Sequence, residues 1–299
     1  KKRNLLIIIV INFKLIKKSI FAFDKTYLNS SFRNIYNLFK YNFKVWLVNF
    51  SSKKILSYNK HNLKKKLVIS LTSYPARFKT LPLTLNSILN QSVHADKIVL
   101  WIENKDKKKL PSSVLNFKGI SIEYCENNLI SYTKIIPTLR KYPDCYLITI
   151  DDDTIYPNKL IESLVSASNK FPNDIIANRI HKIRIINKKP AKYNSWYFNF
   201  KKDTKYAFFT GTGGVLYPPN CFYKDVLIAK YFKKLAPLGD DIWLNWMARM
   251  KGTNVRFSGY EKISESIKSI RGGLYKRNIK QNYNDVQIRN VSKKYGFPF

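Results

Sequence analysis

The sequence predicts an α/β fold, and two observations carry that prediction. From Lys66 onward, strand-like and helix-like segments alternate, as they do when helices cover a sheet. One of the strand-like segments, Tyr146 to Asp153 (YLITIDDD), is an apolar run that ends on three consecutive carboxylates. In open α/β sheets ligands sit just beyond the carboxyl ends of strands, which is where these acids would lie.

Leu67 to Leu71 reads as the first strand, five apolar or small residues fit for burial on both faces. Phe78, Leu81, Leu85, Ile88 and Leu89 recur at helical spacing, with Pro82 acceptable in a first turn. Lys97 to Ile102 and Ile120 to Tyr124 read as the second and third strands. Tyr132, Ile135, Ile136 and Leu139 form a helical face that Pro137 would distort. The acid-tipped strand follows. Leu160, Ile161, Leu164 and Val165 start the next helix, and Ile175 to Ala177 form a further strand. Residues 181–205 are basic, aromatic and irregular, and read as an insertion or active-site loop. TGTGGVLYPP (210–219) is rich in glycine, and Asp240 to Met250 is a helix with Ile242, Trp243, Trp246, Met247 and Met250 on one side. After Gly272 the chain is basic and weakly patterned, as expected of a flap or a surface arm.

With 299 residues the chain has room for one large domain and an appendage. We place the boundary at 65/66. Within 1–65 aromatic residues (Phe21, Phe23, Tyr27, Phe32, Tyr36, Phe39, Phe43, Trp46) alternate with lysines. That pattern suits interfacial amphipathic helices, and equally helices that pack on the main domain. The apolar stretch Leu5 to Ile11 is too short to span a bilayer, and no small-residue cleavage site follows it.

The charge is lopsided: 54 Lys plus Arg against 19 Asp plus Glu, a formal +35. Nucleic acid, an anionic membrane and a phosphorylated substrate each suit a basic surface, and a scattered, solvated lysine surface accounts for it as well. No zinc-finger, RNA-recognition or recognition-helix pattern stands out, so we expect no nucleic-acid partner. Cys125, Cys145 and Cys221 form no C-x-x-C pair, which argues against a disulfide framework and a thiolate zinc site. The cysteine usage points to the cytoplasm, with the N-terminal region docking on the inner face of the plasma membrane.

In an extended chain Asp151 and Asp153 share a face and Asp152 points the other way. Carboxylate oxygens suit Mg²⁺ or Mn²⁺ carrying a phosphorylated substrate. Gly239-Asp240-Asp241 opens a helix, where one acid can cap and the other can act as a general base. Gly211, Gly213 and Gly214 let backbone approach a substrate, or simply make a tight turn. Arg77, after the first strand, and Lys134 suit phosphate, or are surface cations.

In their order, the Arg77 loop, the Lys134 helix, YLITIDDD, GTGGVLYP and GDDIWL resemble GT-A-type glycosyltransferases. The resemblance is to inverting galactosyl- and N-acetylglucosaminyltransferases and to bacterial sugar transferases, and it covers roughly residues 66 to 260. It implies a Rossmann-like, mostly parallel sheet flanked by helices, with Mn²⁺ or Mg²⁺ as cofactor. The donor would be a nucleoside-diphosphate sugar, UDP-linked, and the acceptor a saccharide or lipid-linked saccharide in surface polysaccharide synthesis. Carried over residue by residue, Asp153 binds the metal, Asp151 the metal or the ribose, and Asp152 supports them, with Asp151 and Asp152 both in the nucleotide-sugar site. Arg77, Lys134, Thr72 and Tyr74 join the nucleotide-sugar site. Asp241 is the base, Asp240 caps or orients its helix, and Gly213, Gly214 and Trp243 contact the acceptor. No histidine follows His181, so a late histidine metal ligand is missing. Two alternatives are a haloacid-dehalogenase-type phosphatase, with Asp151 as nucleophile, and a basic two-metal nuclease.

Overall fold

A computed structural model describes residues 59–299 apart from 127–128, 263, 268–276 and 279–280. The amphipathic segment expected over 1–65 lies outside the described residues up to position 58. The strands are β1 (Leu67–Thr72), β2 (Lys97–Glu103), β3 (Ser121–Cys125), β4 (Tyr146–Thr149), β5 (Ile175–Ala177), β6 (Ile180–Lys182), β7 (Tyr197–Phe200), β8 (Ala207–Phe209), β9 (Val215–Tyr217) and β10 (Val255–Phe257). The principal helices are α1 (Leu81–Leu89), α2 (Ile136–Lys141), α3 (Leu160–Lys170), α4 (Asp240–Lys251) and α5 (Tyr283–Tyr295). Other pieces are named by their residues.

Seven strands form the central sheet in the order β10-β5-β9-β4-β1-β2-β3. Every neighbouring pair is parallel except those of β9, which runs antiparallel to both β4 and β5. The register sets Ile69 opposite Ile98 on one side and Ile148 on the other. Along β1, Leu67, Ile69 and Leu71 enter one core with α1 and α3, while Val68 enters the opposite core with Trp243 and Trp246 of α4. Alternation by the two-residue period of a strand is what makes the sheet apolar on both faces and the fold three-layered. Among the described residues no helix is long and apolar enough to cross a membrane.

Four expectations need correction. The acid-tipped strand ends at Thr149, so Asp151 to Asp153 lie in the turn after it rather than on an extended strand. The helix expected from Tyr132 to Leu139 is split into a 3-10 turn, Ile130–Lys134, and α2, with Pro137 in the first turn of α2. Proline has no N–H to donate and fits only there.

The segment 181–205 is largely ordered: β6 and β7 join β8 in a three-stranded antiparallel sheet, β7-β6-β8. It is held by rings, including Tyr193 on Trp196 at 4.8 Å and Trp196 on Phe208 at 5.2 Å. Finally, the chain after residue 280 is a packed element. Helix α5 buries Gln287, Ile288 and Val291, and beyond it Phe299 packs against Trp246 at 5.0 Å.

Candidate active site

A cavity of about 850 Å³ opens at the carboxyl ends of β1 and β4, where the chain leaves the sheet. Its wall includes Thr72, Tyr74, Arg77, Lys134, all three acids of 151–153, Asp240 and Asp241. Residues far apart in sequence are thus brought to one place by two parallel strands and by the N-terminus of α4.

The three acids do not divide as an extended strand would divide them. Asp151 accepts a hydrogen bond from Lys134 Nζ at 2.7 Å. Asp152 accepts from Ser73 Oγ at 2.5 Å and from Arg77 at 3.3 Å, and Arg77 also pairs with Asp153. A turn replaces the strand at this point, so Asp152 and Asp153 share one guanidinium while Asp151 faces a separate ammonium. Asp152 is the most enclosed of the three, and Thr84 Oγ1 donates to its carbonyl at 2.9 Å. Burial pushes its carboxyl up to about 6, against the pull of Arg77 and Ser73. Burial also works to raise Asp151, but Lys134 overrides it and holds that carboxyl below the usual range.

Lys134 is the hub. Besides Asp151, its Nζ lies 3.3 Å from Asp240 Oδ2. Burial alone would lower the ammonium, but Asp151, Asp240 and Asp241 keep it well above its ordinary value. Its carbonyl accepts from Ser70 Oγ of β1 at 2.5 Å, which fixes the 3-10 turn to the sheet.

At the head of α4 neither acid caps. Gly239 holds the cap position without a side-chain bond, and Asp240 turns to Lys134. Asp241 Oδ1 accepts the Gly211 amide at 3.0 Å. Burial first, and the charge of Asp240 second, push the Asp241 carboxyl up to about 7.

Of the three glycines, the one at the cavity is Gly211. A Cβ there would sit 3.1 Å from Lys134 Nζ and 3.3 Å from Asp241 Oδ1. Gly213 instead packs on Arg179, whose backbone nitrogen would lie 3.0 Å from an added Cβ. Gly214 adopts φ +83 beneath Leu160, and neither of these two glycines lines the cavity. Trp243 is 0% exposed, donates Nε1 to the Val226 carbonyl at 3.1 Å and belongs to the core, so it is no acceptor contact. Thr72 and Tyr74 do reach the wall: Thr72 Oγ1 donates to Trp101 O at 2.9 Å, and the Tyr74 hydroxyl accepts from Arg77 Nε at 3.2 Å.

Sequence reasoning did not single out Ser73, Arg179, His181, Tyr193, Phe198 or Thr210, all of which line the cavity or touch its acids. Several of them sit in the segment read as irregular, where no periodicity singles them out.

For a divalent cation the donor chemistry fits: Asp151, Asp152 and Asp153 offer hard oxygens at one wall. Among the described residues no group of three or more His, Cys, Asp or Glu is disposed to hold a metal ion by itself.

No family model matches the chain, and no curated protein matches it. Among solved structures, the chain is similar to S. aureus TarS 1-349, with a TM-score of 0.45 and 10% identity over 74% of this chain and 64% of that one. The same TarS segment in complex with UDP-GlcNAc gives 0.44 and 11%, covering 74% and 65%. A further TarS structure gives 0.44 and 11%, covering 77% of this chain and 39% of that one. The chain therefore spans less than two thirds of these proteins' length.

Proposed function

We propose that the protein is a metal-dependent glycosyltransferase that moves a sugar from a nucleoside-diphosphate sugar to a saccharide acceptor, with inversion at the anomeric carbon. The observation that supports this best is the pairing of two acid groups in one cavity. The acids of 151–153 lie after β4, and Asp241 enters from α4 with a carboxyl raised to about 7. One group suits a cation and a diphosphate, and the other suits proton abstraction near neutral pH.

In this reading Asp153 and Asp151 would hold Mn²⁺ or Mg²⁺, whose charge, when bound, eases departure of the diphosphate. Asp152, fixed by Ser73 and Arg77, holds the turn in shape. Lys134 keeps Asp151 ionised and fixes Asp240 beside it, which leaves Asp241, among the described residues, as the acid without an ammonium partner within bonding distance. The Gly211 amide orients Asp241 through Oδ1. Asp241 then accepts the proton of an acceptor hydroxyl as that oxygen attacks from the side opposite the leaving group, which inverts the centre. Arg77 and Lys134 add positive charge where the diphosphate would sit.

The donor is a hexose or N-acetylhexosamine carried on UDP, and the product belongs to a surface polysaccharide made at the inner face of the membrane. A thermal-shift screen of UDP-, GDP- and CMP-sugars with and without Mn²⁺ tests the reading. A UDP-sugar should stabilise the protein only when Mn²⁺ is present, and Asp153→Asn should remove that effect. Equal stabilisation without Mn²⁺, or none by any nucleotide sugar, would count against it.

A further inference from the structure

Among the described residues four cationic side chains line the cavity, and three are matched with acids: Arg77 with Asp152 and Asp153, Lys134 with Asp151 and Asp240, and Lys105 with Glu103. The fourth is Arg179. Among the described residues its side chain makes one hydrogen bond, from Nε to Asn199 Oδ1 at 2.9 Å, and no ion pair. Asn199 is itself anchored, its backbone N–H donating to His181 Nδ1 at 3.2 Å. The guanidinium is thus aimed through Nε while its two terminal nitrogens keep their donors. A fork of that kind matches a carboxylate or a phosphate.

Its place in the sheet separates it from the donor side. Arg179 follows β5, whereas Arg77 follows β1, and β9 and β4 lie between them. Three strand spacings are roughly 14 Å. The charge of Arg179 is felt at His181 and Tyr193, and that of Arg77 at Asp151. Burial, then Arg179, pushes the His181 imidazole down to about 4, so it is neutral at pH 7 and adds no competing charge.

Beside Arg179 stands an aromatic wall. Phe198 is held against His181 at 4.6 Å and Tyr193 at 5.6 Å, yet is 41% exposed at the cavity. An exposed ring next to polar groups is what a sugar's C–H face packs on. Thr210, whose amide donates to the Arg179 carbonyl at 3.1 Å, keeps a buried hydroxyl without a hydrogen-bond partner among the described residues. This wall therefore has hydrogen-bonding capacity left over.

Resting on the glycosyltransferase reading, we infer that Arg179, Asn199 and Phe198 form the acceptor subsite, and that the acceptor is an anionic saccharide carrying a carboxylate or a phosphate. Phe198 supports the sugar ring, Arg179 takes the anionic group, and the ring's hydroxyl is presented towards Asp241.

The test uses the full chain saturated with UDP and Mn²⁺ and titrated, with NMR detection, against methyl glucoside, methyl glucuronide and glucose 6-phosphate. One of the two anionic sugars should bind at least ten-fold more tightly than the neutral one, and which of them does so tells carboxylate from phosphate. Arg179→Gln should erase that preference while UDP affinity stays within two-fold, and Arg179→Lys should keep part of it. Phe198→Ala should weaken all three sugars several-fold. Equal affinities in the wild type with normal UDP binding would overturn the acceptor assignment alone, as would an Arg179→Gln variant that loses UDP rather than the anionic sugar. A wild-type chain that binds no UDP would sink the glycosyltransferase reading, and the assignment with it.

Discussion

Replacing Lys134 by Met removes the ammonium that stands 2.7 Å from Asp151 and 3.3 Å from Asp240, and keeps most of the side-chain volume. The Lys134 side chain is 9% exposed and those of its partners 25% and 10%, so water replaces it poorly. Breaking an enclosed ion pair by deleting one partner costs about 3–5 kcal/mol, because the other charge is left buried. Against a total stability of about 5–15 kcal/mol that is a large loss. It should depend on pH in a definite direction. In the wild type Lys134 holds the Asp151 carboxyl low, so its contribution is present above the unfolded-state value and is lost as pH falls. Without Lys134, burial is opposed only by Arg77 and Thr212, so that carboxyl rises. A carboxyl raised in the folded state favours folding at low pH, and that favour is lost as pH rises through the folded value. The deficit of Lys134→Met should be about 3–5 kcal/mol at pH 8 and should shrink at pH 5. Urea unfolding of both proteins at the two pH values measures it. A deficit below about 1 kcal/mol at pH 8, within reach of an ordinary surface substitution, would refute the hub role. So would a deficit that grows on acidification.

Sugar transfer should rise with pH through about 7, because Asp241 must lose its proton to act as a base; a pH–rate profile with no such limb would remove it from that role. Asp241→Asn should retain UDP-sugar binding, measured by calorimetry, and lose transfer by about 10²-fold or more. Gly213→Ala places a Cβ 2.8 Å from Arg179 Cβ and should cost about 1–3 kcal/mol by forcing that backbone apart, read from urea midpoints. Trp243→Ala should cost about 3–5 kcal/mol through the cavity it leaves in the core, while the protein that stays folded keeps its acceptor KM; a changed KM with stability intact would return Trp243 to the site.

Elements that sit in the sheet were the most legible in the sequence. Leu67–Thr72 and Lys97–Glu103 are buried on both faces, so their mostly apolar runs mark them with little ambiguity. Helix α5 was not legible because the face it buries is half polar. Asn284, Gln287, Ile288 and Val291 have helical spacing, but two of the four are amides, and Gln287 Oε1 accepts the Leu238 amide at 2.9 Å instead of packing as an apolar residue. Trp243 was misplaced for the opposite reason. Helix α4 is buried nearly all round, so apolar spacing does not tell its cavity side from its core side.

At the site, the residue types were readable and their partners were not. Three adjacent acids mark a candidate site in the sequence, but a turn rather than a strand decides which of them share Arg77 and which faces Lys134. Among Gly211, Gly213 and Gly214, composition is uniform, and only the path of the chain from β8 to β9 brings Gly211 against Asp241.

The central claim is chemical, and release of nucleoside diphosphate tests it most directly. The full chain is incubated with a panel of nucleotide sugars, a saccharide acceptor mixture and Mn²⁺, and free diphosphate is followed by ³¹P NMR. Mn²⁺-dependent release of UDP from a UDP-sugar, with the sugar appearing on the acceptor in inverted configuration and abolished in Asp153→Asn, is the predicted result. Inorganic phosphate as the released species, or no turnover of any nucleotide sugar, would contradict it.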